Sequence, residues 1–133
     1  MEEHIKEYIK EFLAQKTWAV VGASKDPSKF GNKVYRRLKK CGYIVYPINP
    51  NLTELEGDKC YPSLSALPTL PDVVSLIVPP SVTEQVIDQC AELGITRLWM
   101  QPGAESEAAL QKGLAKGLKL IHNECVLVQT RPS

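Results

Sequence analysis

The chain has 133 residues, of which 44 % are hydrophobic, and its 16 lysines and arginines nearly balance 15 aspartates and glutamates, for a net charge of +1. This length and composition predict a single domain, residues 1–133, around one core. The balanced charge excludes a global field that would attract nucleic acid. No apolar run approaches the roughly 20 residues of a membrane span, and the N-terminal stretch lacks the pattern of a signal peptide, so we expect a cytoplasmic location.

Hydrophobic periodicity predicts an N-terminal amphipathic helix and then a regular alternation of strands and helices. The first helix places apolar side chains on one face, at Ile5, Tyr8, Ile9, Phe12 and Leu13. Short apolar runs predict buried strands at residues 17–22, 43–48, 73–78, 96–100 and 118–121. Helices are predicted between these strands, at residues 31–42, 81–93 and 105–115.

The crossover from Asn49 to Asp72 is rich in proline and contains Gly57, so we expect it to be irregular apart from a short helical turn at residues 63–67. Strands that alternate with helices at this spacing predict an α/β fold. The expected architecture is a Rossmann-like, doubly wound, five-stranded parallel sheet with helices on both faces. In such sheets ligands bind at the carboxyl ends of the strands, near the point where the strand order reverses.

The loop after the first strand has the features of an anion site. It begins Gly22-Ala23-Ser24, and the next helix starts near Gly31, so backbone N–H groups and the positive end of the helix dipole face one place. Lys25 and Lys29 lie in the loop itself. Residues 25–40 contain seven lysines and arginines against Asp26 alone, so the local charge is strongly positive although the global charge is not.

The same loop does not match the dinucleotide pattern G-x-G-x-x-G, because no second glycine follows Gly22 before Gly31. An NAD site would also place a carboxylate at the end of the second strand to bind the ribose diol, yet Asn49-Pro50-Asn51 stands there. A neutral strand end beside lysines suits a ribose phosphate. Coenzyme A carries a 3′-phosphate and NADP a 2′-phosphate, so both remain candidates at this point.

Two further strands contribute residues to the same edge of the sheet. The third strand is followed by Val78-Pro79-Pro80, and paired prolines give a rigid apolar wall against which a flat ring could lie. The fourth is followed by Gln101, whose amide could face the cleft, and by a Pro-Gly turn. A helix entry and a simple turn are the structural alternatives for these two segments.

The cysteines and histidines do not suggest catalysis or metal binding. Four cysteines are widely spaced without a C-x-x-C pair, as expected of small packing residues in a reducing compartment. His122 and Cys125 are three residues apart on an irregular segment, and no oxyanion donor or orienting group can be named for them. No nucleophile is predicted.

Taken in order, five segments resemble the small CoA-binding domain proteins, a Rossmann-type family similar to the CoA-binding domain of the succinyl-CoA synthetase alpha subunit. These segments are Val20–Ser24, Gly42–Tyr43, Val45–Pro50, Val78–Pro80 and Trp99–Gly103. The resemblance covers nearly the whole chain. The chain departs from the commoner family form at residues 29–32, where Lys-Phe-Gly-Asn replaces Arg-Pro-Ser-Tyr.

The resemblance implies that coenzyme A or acyl-CoA lies across the carboxyl edge of the sheet. It implies phosphate contacts from Gly22, Ala23, Ser24, Lys25 and Lys29, with Gly31 at the helix start. It implies adenosine contacts from Asn49, Val78, Pro79 and Pro80, and we expect Pro50 and Gln101 at the same edge of the sheet to contact the cofactor as well. The larger synthetases carry their phosphohistidine and nucleotide-grasp elements in additional domains, so we expect a nucleotide-binding module without catalytic residues of its own.

Two alternatives stay open from the sequence. An NADP-dependent oxidoreductase domain would use the same sheet edge but would need a substrate domain from elsewhere. A subunit of an ADP-forming acyl-CoA synthetase would act with a separate partner enzyme. The sequence leaves open whether the chain has such a partner or forms a homo-oligomer, and it does not identify an acyl group.

Overall fold

The computed structural model of the protein describes residues 2–130. The helices are α1 (Glu2–Leu13), α2 (Phe30–Lys40), α3 (Pro80–Leu93), α4 (Glu107–Ala115) and α5 (Val126–Gln129), with a 3₁₀ turn at Leu64–Ala66. The strands are β1 (Thr17–Val21), β2 (Ile44–Ile48), β3 (Glu54–Leu55), β4 (Asp58–Lys59), β5 (Val73–Leu76), β6 (Arg97–Met100) and β7 (Lys119–Ile121). Within residues 2–130, no helix combines the length and the apolar character that crossing a bilayer requires.

Five strands form one parallel sheet in the order β2-β1-β5-β6-β7, which confirms the predicted α/β architecture. β1 and β5 are adjacent, and the chain leaves them toward opposite edges of the sheet, so the strand order reverses between them. Four of the five residues of β1 and all four of β5 are buried. Their continuous apolar sequence follows from this central position, because both of their faces are covered by helices.

The core consists of one layer of side chains on each face of the sheet. On one face α1, α2 and α5 pack around Trp18 and Trp99, whose ring centroids are 6.0 Å apart. On the other face α3, α4 and the 3₁₀ turn cover Val74 and Leu76. The helices therefore lie on both faces, as the alternation of elements predicted.

The predicted N-terminal helix is present as α1, and its apolar face packs on the sheet. Phe12 is fully buried, with its ring 6.3 Å from that of Trp99 in an edge-to-face arrangement. On the same side, Glu11 accepts hydrogen bonds from Arg97 Nε at 2.6 Å and from Lys119 Nζ at 2.9 Å. Since Arg97 and Lys119 begin β6 and β7, these contacts join α1 to the amino edge of the sheet.

The crossover from β2 to β5 contains more structure than its proline content indicated. β3 and β4 form a small antiparallel hairpin joined by Glu56 and Gly57, which both have positive φ. Tyr35 and Lys39 of α2 donate to the Asp58 carboxylate and hold this hairpin against α2. Although burial alone would raise the pKa of Asp58, these two hydrogen bonds lower it below its ordinary value.

Candidate functional site

The backbone of the turn that follows β1 packs closely against the backbone at the end of β5. Gly22 has a φ of +97°, and a Cβ atom at this position would lie 2.1 Å from the carbonyl oxygen of Ile77. A side chain would therefore clash with the neighbouring backbone as well as strain its own. Glycine at this position lets the loops after β1 and β5 meet, and this is where a doubly wound sheet binds its ligands.

The loop that runs from Gly22 to Lys29, here called the phosphate loop, presents backbone donors at the start of α2. The N–H groups of Gly22 and Ala23 donate to the carbonyl oxygen of Ile48 at 3.2 and 3.3 Å. Within residues 2–130, four neighbouring N–H groups have no acceptor, those of Ser24, Lys25, Phe30 and Gly31. The first turn of α2 carries no acidic residue, so the positive end of the helix dipole is not neutralised.

The charged side chains of the phosphate loop are exposed. Lys25 and Lys29 form no ion pair within residues 2–130. Asp26 turns its carboxylate to Ser28, which donates to it from the hydroxyl at 2.7 Å and from the N–H at 2.9 Å. These hydrogen bonds lower the pKa of Asp26 below its ordinary value, so it is ionised at neutral pH. The two lysines remain available to an anionic ligand.

A cleft of about 310 Å³ opens beside the phosphate loop at the carboxyl ends of β1, β2 and β5. Its lining includes four residues that the sequence singled out, Gly22, Asn49, Pro50 and Val78. It also includes six that the sequence did not single out, Pro62, Ser63, Leu64, Val82, Val86 and Gln89. The walls are mostly apolar, as binding of a flat ring system requires.

The residues that were missed come from two segments that pack against each other. Pro62, Ser63 and Leu64 lie in the crossover, whose path could not be read from its sequence. Val82, Val86 and Gln89 follow one another along one face of α3, and that spacing is equally typical of a core-facing stripe. Nothing in the sequence distinguishes the part of such a stripe that lines a cleft from the part that packs on the sheet.

Asn49 connects the end of β2 to the phosphate loop. Its Nδ2 donates to the carbonyl oxygen of Ala23 at 2.8 Å, and its Oδ1 accepts from the N–H of Asn51 at 2.8 Å. The side chain is therefore an oriented neutral amide at the position where an NAD site places a carboxylate. The neutral strand end that the sequence indicated lies within the cleft.

The remaining predicted residues lie outside the lining of the cleft. Pro79 precedes the first residue of α3, and Pro80 begins that helix, a position proline favours because no N–H is needed there. Gln101 is 2 % exposed and uses both ends of its amide internally: Nε2 donates to Cys125 Sγ at 2.9 Å, and Oε1 accepts from the N–H of Val126 at 3.1 Å. A ligand role for these three residues stays a prediction.

Among the residues that the structure describes, the lining of the cleft offers hydrogen bonds and apolar contacts but no acid, base or thiol. Within residues 2–130, no group of three or more His, Cys, Asp and Glu side chains could hold a metal ion. Cys60 and Cys90 are buried away from solvent, and burial raises the pKa of Cys60 and raises that of Cys90 to about 12. The arrangement suits recognition of an anionic, ring-containing ligand.

Comparison with known proteins agrees with this geometry. The model of a family described as "CoA binding domain" matches residues 16–131. The uncharacterized protein YneT of Bacillus subtilis is 30 % identical over 129 residues, which are 96 % of each chain. A conserved hypothetical protein from Pyrococcus furiosus, whose structure is solved, superimposes with a TM-score of 0.82 at 42 % identity, over 86 % of this chain and 98 % of that one.

Longer relatives contain the same domain as one part. The alpha subunit of acetate–CoA ligase (ADP-forming) II from Pyrococcus furiosus is 38 % identical over 78 residues, and the matched region is 58 % of this chain but 17 % of that subunit. The acetate–CoA ligase (ADP-forming) II of Archaeoglobus fulgidus is 34 % identical over 89 residues, and the matched region is 65 % of this chain but 13 % of that ligase. The chain spans less than a fifth of the length of these ligases. It belongs to the family of CoA-binding domains, to which the matched part of each ligase is related.

Proposed function

We propose that the chain binds coenzyme A or acyl-CoA across the carboxyl edge of its sheet and contributes no catalytic residue of its own. One observation carries the proposal: the cleft opens directly beside the phosphate loop and the start of α2, which together present four N–H groups without an acceptor within residues 2–130, at the point where the strand order reverses. A ligand with an anionic part joined to a flat ring matches the two halves of this site.

The phosphate loop would bind the pyrophosphate. The N–H groups of Ser24, Lys25, Phe30 and Gly31 are donors for its oxygens, and the dipole of α2 favours negative charge at the same place. Lys25 and Lys29 are exposed on long flexible stems. They would neutralise the pyrophosphate or the 3′-phosphate, since neither lysine has another partner within the described chain.

The cleft would bind the adenosine. Pro50 and Val78 provide apolar surface from the segments that follow β2 and β5, and Leu64 and Val82 provide it from the crossover and α3. The Asn49 amide, already bonded to Ala23, leaves no negative charge near the ribose that would repel a 3′-phosphate. The pantetheine arm and any acyl group would then extend along the edge of the sheet.

Isothermal titration calorimetry with four ligands tests the proposal. We expect CoA to bind most tightly and dephospho-CoA more weakly, because it lacks the 3′-phosphate. NAD should bind most weakly, because Asn49 stands where an NAD site has a carboxylate to accept hydrogen bonds from the ribose hydroxyls. NAD binding as tight as CoA, or no binding of CoA, would overturn it. Binding of NADP in preference to CoA would instead favour the oxidoreductase alternative.

The names of the relatives favour a second candidate, in which the chain serves as the CoA-binding part of an ADP-forming acyl-CoA synthetase. Several of them are ADP-forming acetate–CoA ligases or their alpha subunits. In this role the chain would act with a partner that carries the nucleotide site. Affinity purification from native extract, followed by an assay for ATP-dependent ligation of CoA to an acid with release of ADP and phosphate, tests this candidate. Recovery of the chain alone, without such activity, would count against it.

A further inference from the structure

We propose that Glu56 is a positioning residue for CoA, acting through Asn32 on the phosphate loop. Glu56 lies in the turn between β3 and β4 and does not line the cleft. The inference rests on the proposed function. It deepens that function because Glu56, although outside the cleft, would set the orientation of an N–H donor for the phosphate. Three structural observations carry it.

The first observation is the bonding of Asn32, which lies in the first turn of α2 and is fully buried. Its Nδ2 donates to the carbonyl oxygen of Ser24 at 2.8 Å and to Glu56 Oε2 at 2.9 Å. Its Oδ1 is buried and has no partner within residues 2–130. The orientation of the amide therefore depends on the two acceptors of Nδ2, and the Glu56 carboxylate is the charged, stronger one.

The second observation concerns what the Ser24 carbonyl controls. In a trans peptide the C=O of one residue and the N–H of the next point in opposite directions. Because Asn32 holds the Ser24 carbonyl, the Lys25 N–H is directed away from Asn32, and it is one of the four N–H groups at the phosphate loop and the start of α2 that have no acceptor within the described residues. The chain of contacts from Glu56 to Asn32 to Ser24 thus fixes the direction of a donor at the proposed phosphate site.

The third observation is backbone strain at Glu56. Its φ is +50°, and Gly57 follows at +88°, the positive values that a two-residue type I′ hairpin turn requires. Asparagine, aspartate and glycine are favoured at the first of these positions, whereas glutamate is not. A strained residue persists where its surroundings hold it, and the contacts that hold this side chain are Asn32 at 2.9 Å and Arg36 at 3.9 Å.

A carboxylate close to a phosphate site should weaken binding by simple electrostatics. If Glu56 were only a surface charge, its removal would strengthen CoA binding, since one repulsion would be lost. The positioning role predicts the opposite sign. Binding should weaken when the acceptor for Asn32 is lost, even though the net charge of the site becomes more positive.

Two substitutions and a matched control separate these effects. Glu56→Asn suits the turn but is one methylene too short to keep the contact with Asn32. We expect its Tm to change little, because relief of the strain offsets the lost contacts of the side chain, while its Kd for CoA and for dephospho-CoA rises about fivefold to tenfold. Glu56→Gln keeps an acceptor of the same length and should stay within about twofold of the wild type. Glu54→Gln removes the same charge from an exposed position of the same hairpin and should leave Kd unchanged.

Calorimetric titration and thermal unfolding of the four proteins decide the outcome. Glu56→Asn binding CoA as tightly as the wild type, or more tightly, would overturn the positioning role while leaving the proposed function intact. A fall in Tm together with weaker binding in both Glu56 variants would make Glu56 a merely structural residue and would also overturn it. Failure of the wild-type protein to bind CoA would instead remove the proposed function on which the inference rests.

Discussion

The backbone of Gly31 lies directly against that of Gly22: a Cβ atom on Gly31 would lie 2.0 Å from the Gly22 carbonyl oxygen and 3.2 Å from the Ser24 nitrogen. Gly31→Ala must therefore push the first turn of α2 away from the phosphate loop. We expect the free energy of unfolding to fall by about 1–3 kcal/mol, as for overpacked cores. CoA binding should weaken in addition, because the displaced turn carries two of the phosphate donors. Urea denaturation and calorimetry measure the two effects.

Gly42→Ala is the matched control for that substitution. Gly42 follows α2 at a φ of +95°, and no atom of the described part of the chain lies within 4 Å of an added Cβ, so alanine there strains the backbone without a clash. A loss of about 1 kcal/mol in stability is expected from the strain. Because Gly42 is at the far end of α2, CoA affinity should not change. Equal weakening of CoA binding in both variants would contradict a specific role for the Gly22–Gly31 contact.

The lysines of the phosphate loop should affect affinity without affecting stability. Lys25→Ala and Lys29→Ala each remove an exposed cation that has no partner within the described residues, so the Tm should change little. The Kd for CoA should rise about threefold to tenfold for each and should become less sensitive to salt. Lys33→Ala, on the outer face of α2, is the control. If it weakens binding as much as the loop lysines do, the effect is one of net charge.

Much of the fold could be predicted because the burial of the central strands is visible in their local sequence. Thr17–Val21 and Val73–Leu76 are mostly apolar runs because both of their faces are covered, and the glycine after β1 marks the edge where sheets of this kind bind their ligands. The sheet, the turn after β1 and the neutral end of β2 could all be read in this way. The order of the strands within the sheet required the structure.

The elements that the sequence analysis missed are short and are held by distant residues. α5 has four residues, and Gln101 and Arg37 bond to it, Arg37 through Nη1 to the Leu127 carbonyl oxygen at 2.8 Å. The β3–β4 hairpin has two residues in each strand and depends on α2 for its place. So few residues give no periodicity to detect, because the free energy that orders them comes from tertiary contacts. The crossover wall of the cleft was missed for the same reason.

Gln101 provides a test of whether a predicted ligand residue is structural. Gln101→Met keeps the size of the side chain but leaves the Val126 N–H without an acceptor in a buried position. We expect the free energy of unfolding to fall by about 1–3 kcal/mol, the usual cost of an unsatisfied buried polar group. CoA affinity should change less than it does in Lys29→Ala. Lost CoA binding at unchanged stability would instead assign the amide to the ligand, as the sequence suggested.

The contact of α1 with the sheet should depend on pH through Glu11. Hydrogen bonds from Lys119 and then Arg97, together with their charges, hold the pKa of Glu11 below its ordinary value, against a smaller opposing effect of burial. A lowered pKa in the folded state means that the unfolded chain takes up the proton first as the pH falls. The stabilisation is therefore fully present above the pKa of the unfolded chain and is lost as the pH falls from there through the lower pKa of the folded protein.

Glu11→Gln removes this titration while keeping the shape of the side chain. At neutral pH the variant should unfold at a lower temperature than the wild type, because two cations of β6 and β7 lose their partner. The difference should shrink as the pH falls and should vanish once Glu11 is protonated in the folded protein. Glu7→Gln, also on α1 but 80 % exposed and 3.9 Å from His4, is the control and should lower the Tm little at any pH. A difference between wild type and Glu11→Gln that is constant from pH 7 to about pH 3 would mean that packing rather than charge is responsible.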